Sequence, residues 1–173
     1  MFKGVLMVLV FISCAAFGQE RPRDGKESKP VFHEVSNKDV VQSIYQDAAK
    51  VEKVNSYWFR VLNSENKTIG FAMSSATFCP EVKGYNDVTP VMILTDRNWV
   101  IKKVSLLSNW ETIGFVRKLE KKGFFNSWVG KTLKEAKSVH VDAYTGATFT
   151  ASAVSKNVDF LLNKGLKALP RNK

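Results

Sequence analysis

Asp142, Thr145, Gly146, Ala147 and Thr148 put a carboxylate, two hydroxyls and a glycine turn in front of a stretch that reads as a helix. A helix start presents unpaired backbone N–H groups and a positive dipole end, which suit a phosphate. Gly146 allows a backbone with φ > 0, and Ala147 keeps the approach to the next residue open. Thr148 then offers a hydroxyl where a phosphate would sit, while Asp142 offers a metal ligand or a proton acceptor. The same residue types also make an ordinary N-cap that satisfies the first donors of the helix. On local pattern alone, both readings stand.

The elements that must position this stretch follow from hydrophobic periodicity. Val154, Val158, Leu161, Leu162, Leu166 and Leu169 recur at helical spacing, so a helix is expected from about Thr150 to Leu169, its apolar face on a sheet and its start beside Thr148. Ser36 with Asp39 resembles a capping box, and Val40, Val41, Ile44, Tyr45, Ala48 and Val51 fall on one face of a first helix. Tyr57 to Leu62 and Lys67 to Met73 read as a hairpin about Asn63–Asn66, with Gly70 admitting a close neighbour. Val91 to Leu94 and Val100 to Leu107 read as a second hairpin about Asp96, Arg97 and Asn98. Ile113 to Lys122 reads as a short helix, Lys131 to Ala136 as one more turn, and Phe124, Phe125 and Trp128 as core. The fold class expected is α+β, an antiparallel sheet with helices packed on it.

The whole chain has 173 residues and a net charge of +10, enough for one domain with a sizeable core. Its basic residues are interleaved with acids rather than gathered into a stripe, so no nucleic-acid partner is expected. Met1 to Gly18 combines a positive start, the apolar run Val5 to Ile12 and a small-residue boundary, as secretory signal peptides do. Cleavage before Gln19 is expected, with acylation of Cys14 as the lipoprotein alternative. Either route exports the domain to a periplasmic or extracytoplasmic face. Residues 19–35 read as a polar linker, and residues 36–173 as the domain. Beyond the signal only Cys79 remains, so no internal disulfide can form, and His33 and His140 lack neighbours at metal-ligand spacing.

The segment Asp142 to Thr148 resembles the flavinylation motif of the FMN-binding domain family, which includes the G subunit of the Rnf complex and the C subunit of the sodium-translocating NADH:quinone reductase. Further blocks resemble the family in order: Ile69-Gly70-Phe71, Lys83-Gly84-Tyr85, Thr89-Pro90-Val91, Glu111-Thr112-Ile113-Gly114, and Gly130-Lys131 with Ala136. They span a family-like core of about residues 57–160. Ile113 replaces the usual proline, and Asn86-Asp87 replaces glycines. The resemblance implies covalent FMN on Thr148 through a phosphoester, made from FAD by a magnesium-dependent flavin transferase. It implies that Asp142 assists that reaction through the magnesium ion, that Thr145, Gly146 and Ala147 shape the turn, and that Glu111 and Thr112 line the flavin. Tyr144 and Phe149 are candidates to touch the ring. The resemblance further implies an electron relay, freestanding or among membrane-complex subunits, rather than a substrate-converting enzyme. Two other classes remain at this stage: an exported binding domain of the same fold without flavin, and a basic polyanion binder.

Overall fold

Asparagine and aspartate side chains that close their own backbone set both of the hairpins expected from the sequence. In the computed structural model, which describes residues 30–141 and 145–171, Asn63 Oδ1 accepts from the Glu65 and Lys67 amides at 3.1 and 2.9 Å. Asp96 Oδ1 does the same for Asn98 and Val100 at 2.8 and 3.0 Å. The resulting strands are β1 (Ala48–Lys53), β2 (Trp58–Asn63), β3 (Thr68–Ser74), β4 (Val91–Thr95) and β5 (Ile101–Leu106). They form one antiparallel meander in the order β1-β2-β3-β4-β5. The expected signal peptide with Cys14 and Gln19, most of the linker, and Asp142 and Tyr144 lie outside the described residues.

Alternation along the strands sends side chains to two cores. Trp58, Phe71, Met73, Val91, Ile93, Ile101, Val104 and Leu106 meet the helices on one face. Val61, Ala72, Met92 and Leu94 meet α1 (Asn37–Gln42) on the other, where Val40 and Val41 cover them. With both faces covered, every residue of β4 is buried. After the sheet come α2 (Ile113–Lys121), a 3₁₀ turn (Phe124–Trp128), α3 (Leu133–Ala136) and α4 (Thr148–Lys167). The fold is α+β, as the sequence implies. Among the described residues no helix is long and apolar enough to cross a membrane.

The first helix is shorter than its apolar spacing suggests. Ser36 caps it, its Oγ accepting from the Asp39 amide at 3.2 Å, but the helix ends at Gln42. Ala48 and Val51 belong instead to β1, where Val51 pairs with Val61 and Glu52 with Arg60. The spacing of Val40, Val41, Ile44, Tyr45, Ala48 and Val51 satisfies a helix, but pairing with β2 decides the conformation of the last two. Residues His33 to Val35, read as the end of the linker, are held to the domain. His33 and Asn109 exchange backbone hydrogen bonds of 2.8 and 3.0 Å, and the Val35 amide donates to Ser108 Oγ at 2.8 Å.

Tyr45 shows what its turn achieves. Its ring lies over Gly70, where a Cβ would clash with it and would stand 2.8 Å from the Thr95 carbonyl oxygen. The Tyr45 hydroxyl donates to that same carbonyl at 2.6 Å. Burial, with Asp96 nearby, pushes the Tyr45 phenol up to about 12. Because the folded-state value exceeds the unfolded one, this group's contribution is full below about pH 10 and is lost as pH rises toward about 12. Tyr45→Phe is expected to lower stability by about 1 kcal/mol at neutral pH and to flatten that alkaline decline. Gly70→Ala is expected to cost about 1–3 kcal/mol through overpacking. Urea titrations at neutral pH and across the alkaline range measure both.

Candidate functional site

Thr148 is the first residue of α4, so its position depends on how that helix is held. Polar contacts tie α4 down along its length. At the N-terminal end the Thr150 hydroxyl donates to Glu111 Oε2. In the middle Asn157 Nδ2 donates to the Thr89 carbonyl at 3.0 Å, and toward the C-terminal end Trp58 Nε1 donates to the Gly165 carbonyl at 3.0 Å. Thr150, Asn157 and Gly165 are separated by about two turns each and so face the same way. A Cβ at Gly165 would collide with Met73, and its absence lets the helix lie close on β3. Between these contacts, Ala151, Val154, Val158, Leu161 and Leu162 join the core. Leu166 is half-buried and Leu169 is exposed, so the apolar face is effective as far as Leu166.

Glu111 is completely buried, yet its carboxylate is well supplied with donors. Tyr85 N donates to Oε2 at 3.1 Å, and Asn86 N and Asp87 N donate to Oε1 at 2.9 and 3.5 Å. With the Thr150 hydroxyl, these occupy an acceptor-only group that has about four lone-pair sites. Gly84 is needed for this packing, since a Cβ there would stand 2.7 Å from Glu111 Oε1. Thr112 is the N-cap of α2, and its Oγ1 accepts from Asn86 Nδ2 at 3.3 Å. Glu111 and Thr112 therefore hold the 84–87 loop to the start of α4 and stand behind the adjoining cavity. Asn86 is used in the same tie through its side chain, which also donates to the Trp110 carbonyl at 2.9 Å.

The cavity itself has a volume of about 290 Å³ and is lined by Tyr85, Phe115 and the run Gly146 to Thr150. Tyr85 meets Phe115 edge-on at 5.0 Å between ring centroids and lies 6.4 Å from Phe149. Tyr85 and Phe149 are 53% and 69% exposed, so the aromatic wall opens to solvent. Thr148 is exposed at the edge of this wall, whereas Thr150 is fully buried. Gly146 has φ of 81°, the left-handed turn expected of it. The N-cap of α4 is Ala147, which makes no side-chain cap, so the local cap reading is not met by the residue in that position. Thr145 is exposed in the preceding turn, and Asp142 is outside the described residues. Sequence reasoning did not single out Phe115, and it met Tyr85 only as part of a block; their spacing carries no local signal of a shared cavity.

An aromatic, open cavity beside an exposed threonine at a helix start fits a cofactor with a flat ring and a phosphate. Fold and site thus define an α+β domain for a phosphorylated aromatic cofactor. The chain carries a domain of the FMN-binding domain family, whose model matches residues 84–163. It is a flavin-binding protein. The match contains Gly84, Tyr85, Glu111, Phe115 and Thr148, while β1 to β3 precede it. A search of curated proteins found no match.

The Thr150–Glu111 bond generates a specific expectation. Thr150→Val keeps the shape and removes one donor from a buried carboxylate, which is expected to cost about 1.5–3 kcal/mol. Thr145→Val, at an exposed turn, is expected to stay within about 0.5 kcal/mol of the parent. Urea unfolding midpoints of the two variants distinguish them.

Proposed function

We propose that this chain carries FMN covalently through a phosphoester to Thr148 and relays electrons on the extracytoplasmic side of a membrane. The observation that carries the reading is the position of Thr148: an exposed threonine at the first residue of α4, beside the aromatic cavity. Of the hydroxyls nearby, that of Thr150 is buried and committed to Glu111. Thr148 Oγ attacks the FMN phosphorus of FAD, forming a new P–O bond. The bond from that phosphorus to the bridging oxygen breaks, AMP leaves, and the hydroxyl proton passes to a base of the flavin transferase. Asp142 assists through the transferase's magnesium ion.

The backbone N–H groups at the start of α4 and its dipole, equivalent to about half a positive charge, favour the phosphate without retaining it. A covalent bond does retain it, which suits a protein exported by the signal at residues 1–18. Tyr85, Phe115 and Phe149 would flank the ring and keep one side of it dry. Bound flavin supplies the one- and two-electron chemistry. The exposed edges of Tyr85 and Phe149 leave the ring within reach of redox partners.

Loading with FAD, magnesium and a purified flavin transferase tests the assignment, with flavin fluorescence of the denatured band and intact mass as readouts. Thr148→Ala is expected to abolish covalent flavin in a folded protein, and Thr145→Ala to retain it. A fluorescent Thr148→Ala band would place the bond elsewhere. Asp142→Asn is expected to lower the loading rate without unfolding the domain; an unchanged rate would remove Asp142 from the attachment step.

A further inference from the structure

Lys118 lies on α2, one turn beyond Phe115, and the two share a helix face. Phe115 lines the cavity, while Lys118 reaches the turn that precedes Thr148. Its Nζ stands 2.5 Å from the point where a Cβ on Gly146 would be. The φ of 81° is what requires glycine at 146, and the Lys118 ammonium group packs beside that turn. The Lys118 side chain is half-buried, and among the described residues no carboxylate lies within ion-pair distance of it. An ammonium group held this way beside a helix start adds a full charge to the partial charge of the helix dipole.

We propose that Lys118 is the counter-cation of the flavin phosphate: it draws the phosphate to Thr148 during attachment and pairs with the phosphodiester afterwards. The inference rests on the covalent-FMN reading and assigns a further residue of that site. Charge matching supports it, because a phosphodiester keeps one ionised oxygen and Lys118 supplies one positive charge. Geometry supports it too, because α2 presents a ring and a cation on one face to a ligand with a ring and an anion. Lys118 is a positioning residue here; the bond is made by Thr148.

Wild type, Lys118→Met and Lys118→Arg are compared in the purified loading reaction with FAD and magnesium, with covalent flavin read by gel fluorescence and mass. Lys118→Met is expected to slow initial loading about tenfold at an unchanged melting temperature, the effect of one charge-assisted contact. Lys118→Arg, which keeps the charge, is expected to recover most of the rate. A second readout needs no variant. Amine acylation of wild type, mapped by peptide mass, is expected to fall about fivefold at Lys118 after loading, as pairing withdraws the amine, and to stay constant at Lys121. Should Lys118→Met not fold, this footprint decides the matter. Wild-type loading rates in Lys118→Met, an arginine variant as slow as the methionine one, or equal acylation before and after loading would each overturn the Lys118 assignment while leaving the phosphoester intact. Wild type that takes no covalent flavin beside a demonstrably active transferase overturns the phosphoester reading, and Lys118 with it.

Discussion

A buried carboxylate is costly unless its oxygens are fully hydrogen-bonded, and that constraint organises the functional end of this domain. Glu111 meets it by taking the amides of Tyr85, Asn86 and Asp87 from one loop and the hydroxyl of Thr150 from another element. Neither side can move without exposing an unpaired group, so loop 84–87, the start of α2 and the start of α4 behave as one unit. Tyr85 reaches the cavity because its own amide is tied beneath it. Thr148 stands at the surface because Thr150, two residues on, is drawn inward.

The rest of the molecule can be understood as support for that unit. The sheet is buried on both faces, and α4 is laid across one of them by apolar packing and by the contacts of Asn157 and Trp58. Apolar packing is not directional and would tolerate a slide of the helix along its axis. Hydrogen bonds at three heights remove that freedom, because each has a narrow range of distance and angle. The C-terminal end is closed by Asn55 Nδ2, which donates to the Ala168 carbonyl at 2.8 Å. A hydroxyl at the first residue of such a helix is held in place by the whole domain rather than by its own loop.

Burial divides labour among residues of the same type. Thr145, Thr148 and Thr150 carry identical groups within six positions, yet one is in a turn, one is exposed on a helix start and one is buried on a carboxylate. Gly84, Gly146 and Gly165 likewise lie beside different neighbours, Glu111, Lys118 and Met73, with Gly146 also fixed by its φ of 81°. In each case the glycine marks a close approach by a side chain distant in sequence.

By itself the sequence determined the features whose causes are local. Both hairpins were legible because Asn63 and Asp96 bond to backbone a few residues away and the flanking strands alternate. The long helix was legible from Val154 to Leu162 because its spacing matches the helical period, and Gly146 from its place before that helix. The motif at Thr148 was legible as a string of residue types, though not the difference between Thr148 and Thr150. Tertiary structure decided what depended on distant partners. It ended α1 at Gln42, where no glycine or proline marks a stop, because β2 recruits Ala48 to Lys53 into the sheet. It turned Glu111 inward and gathered Tyr85, Phe115, Lys118 and Gly146 around Thr148 from three separate segments. Periodicity and turn chemistry act over a few residues, whereas burial and electrostatic pairing act between whichever residues the fold brings within a few ångströms.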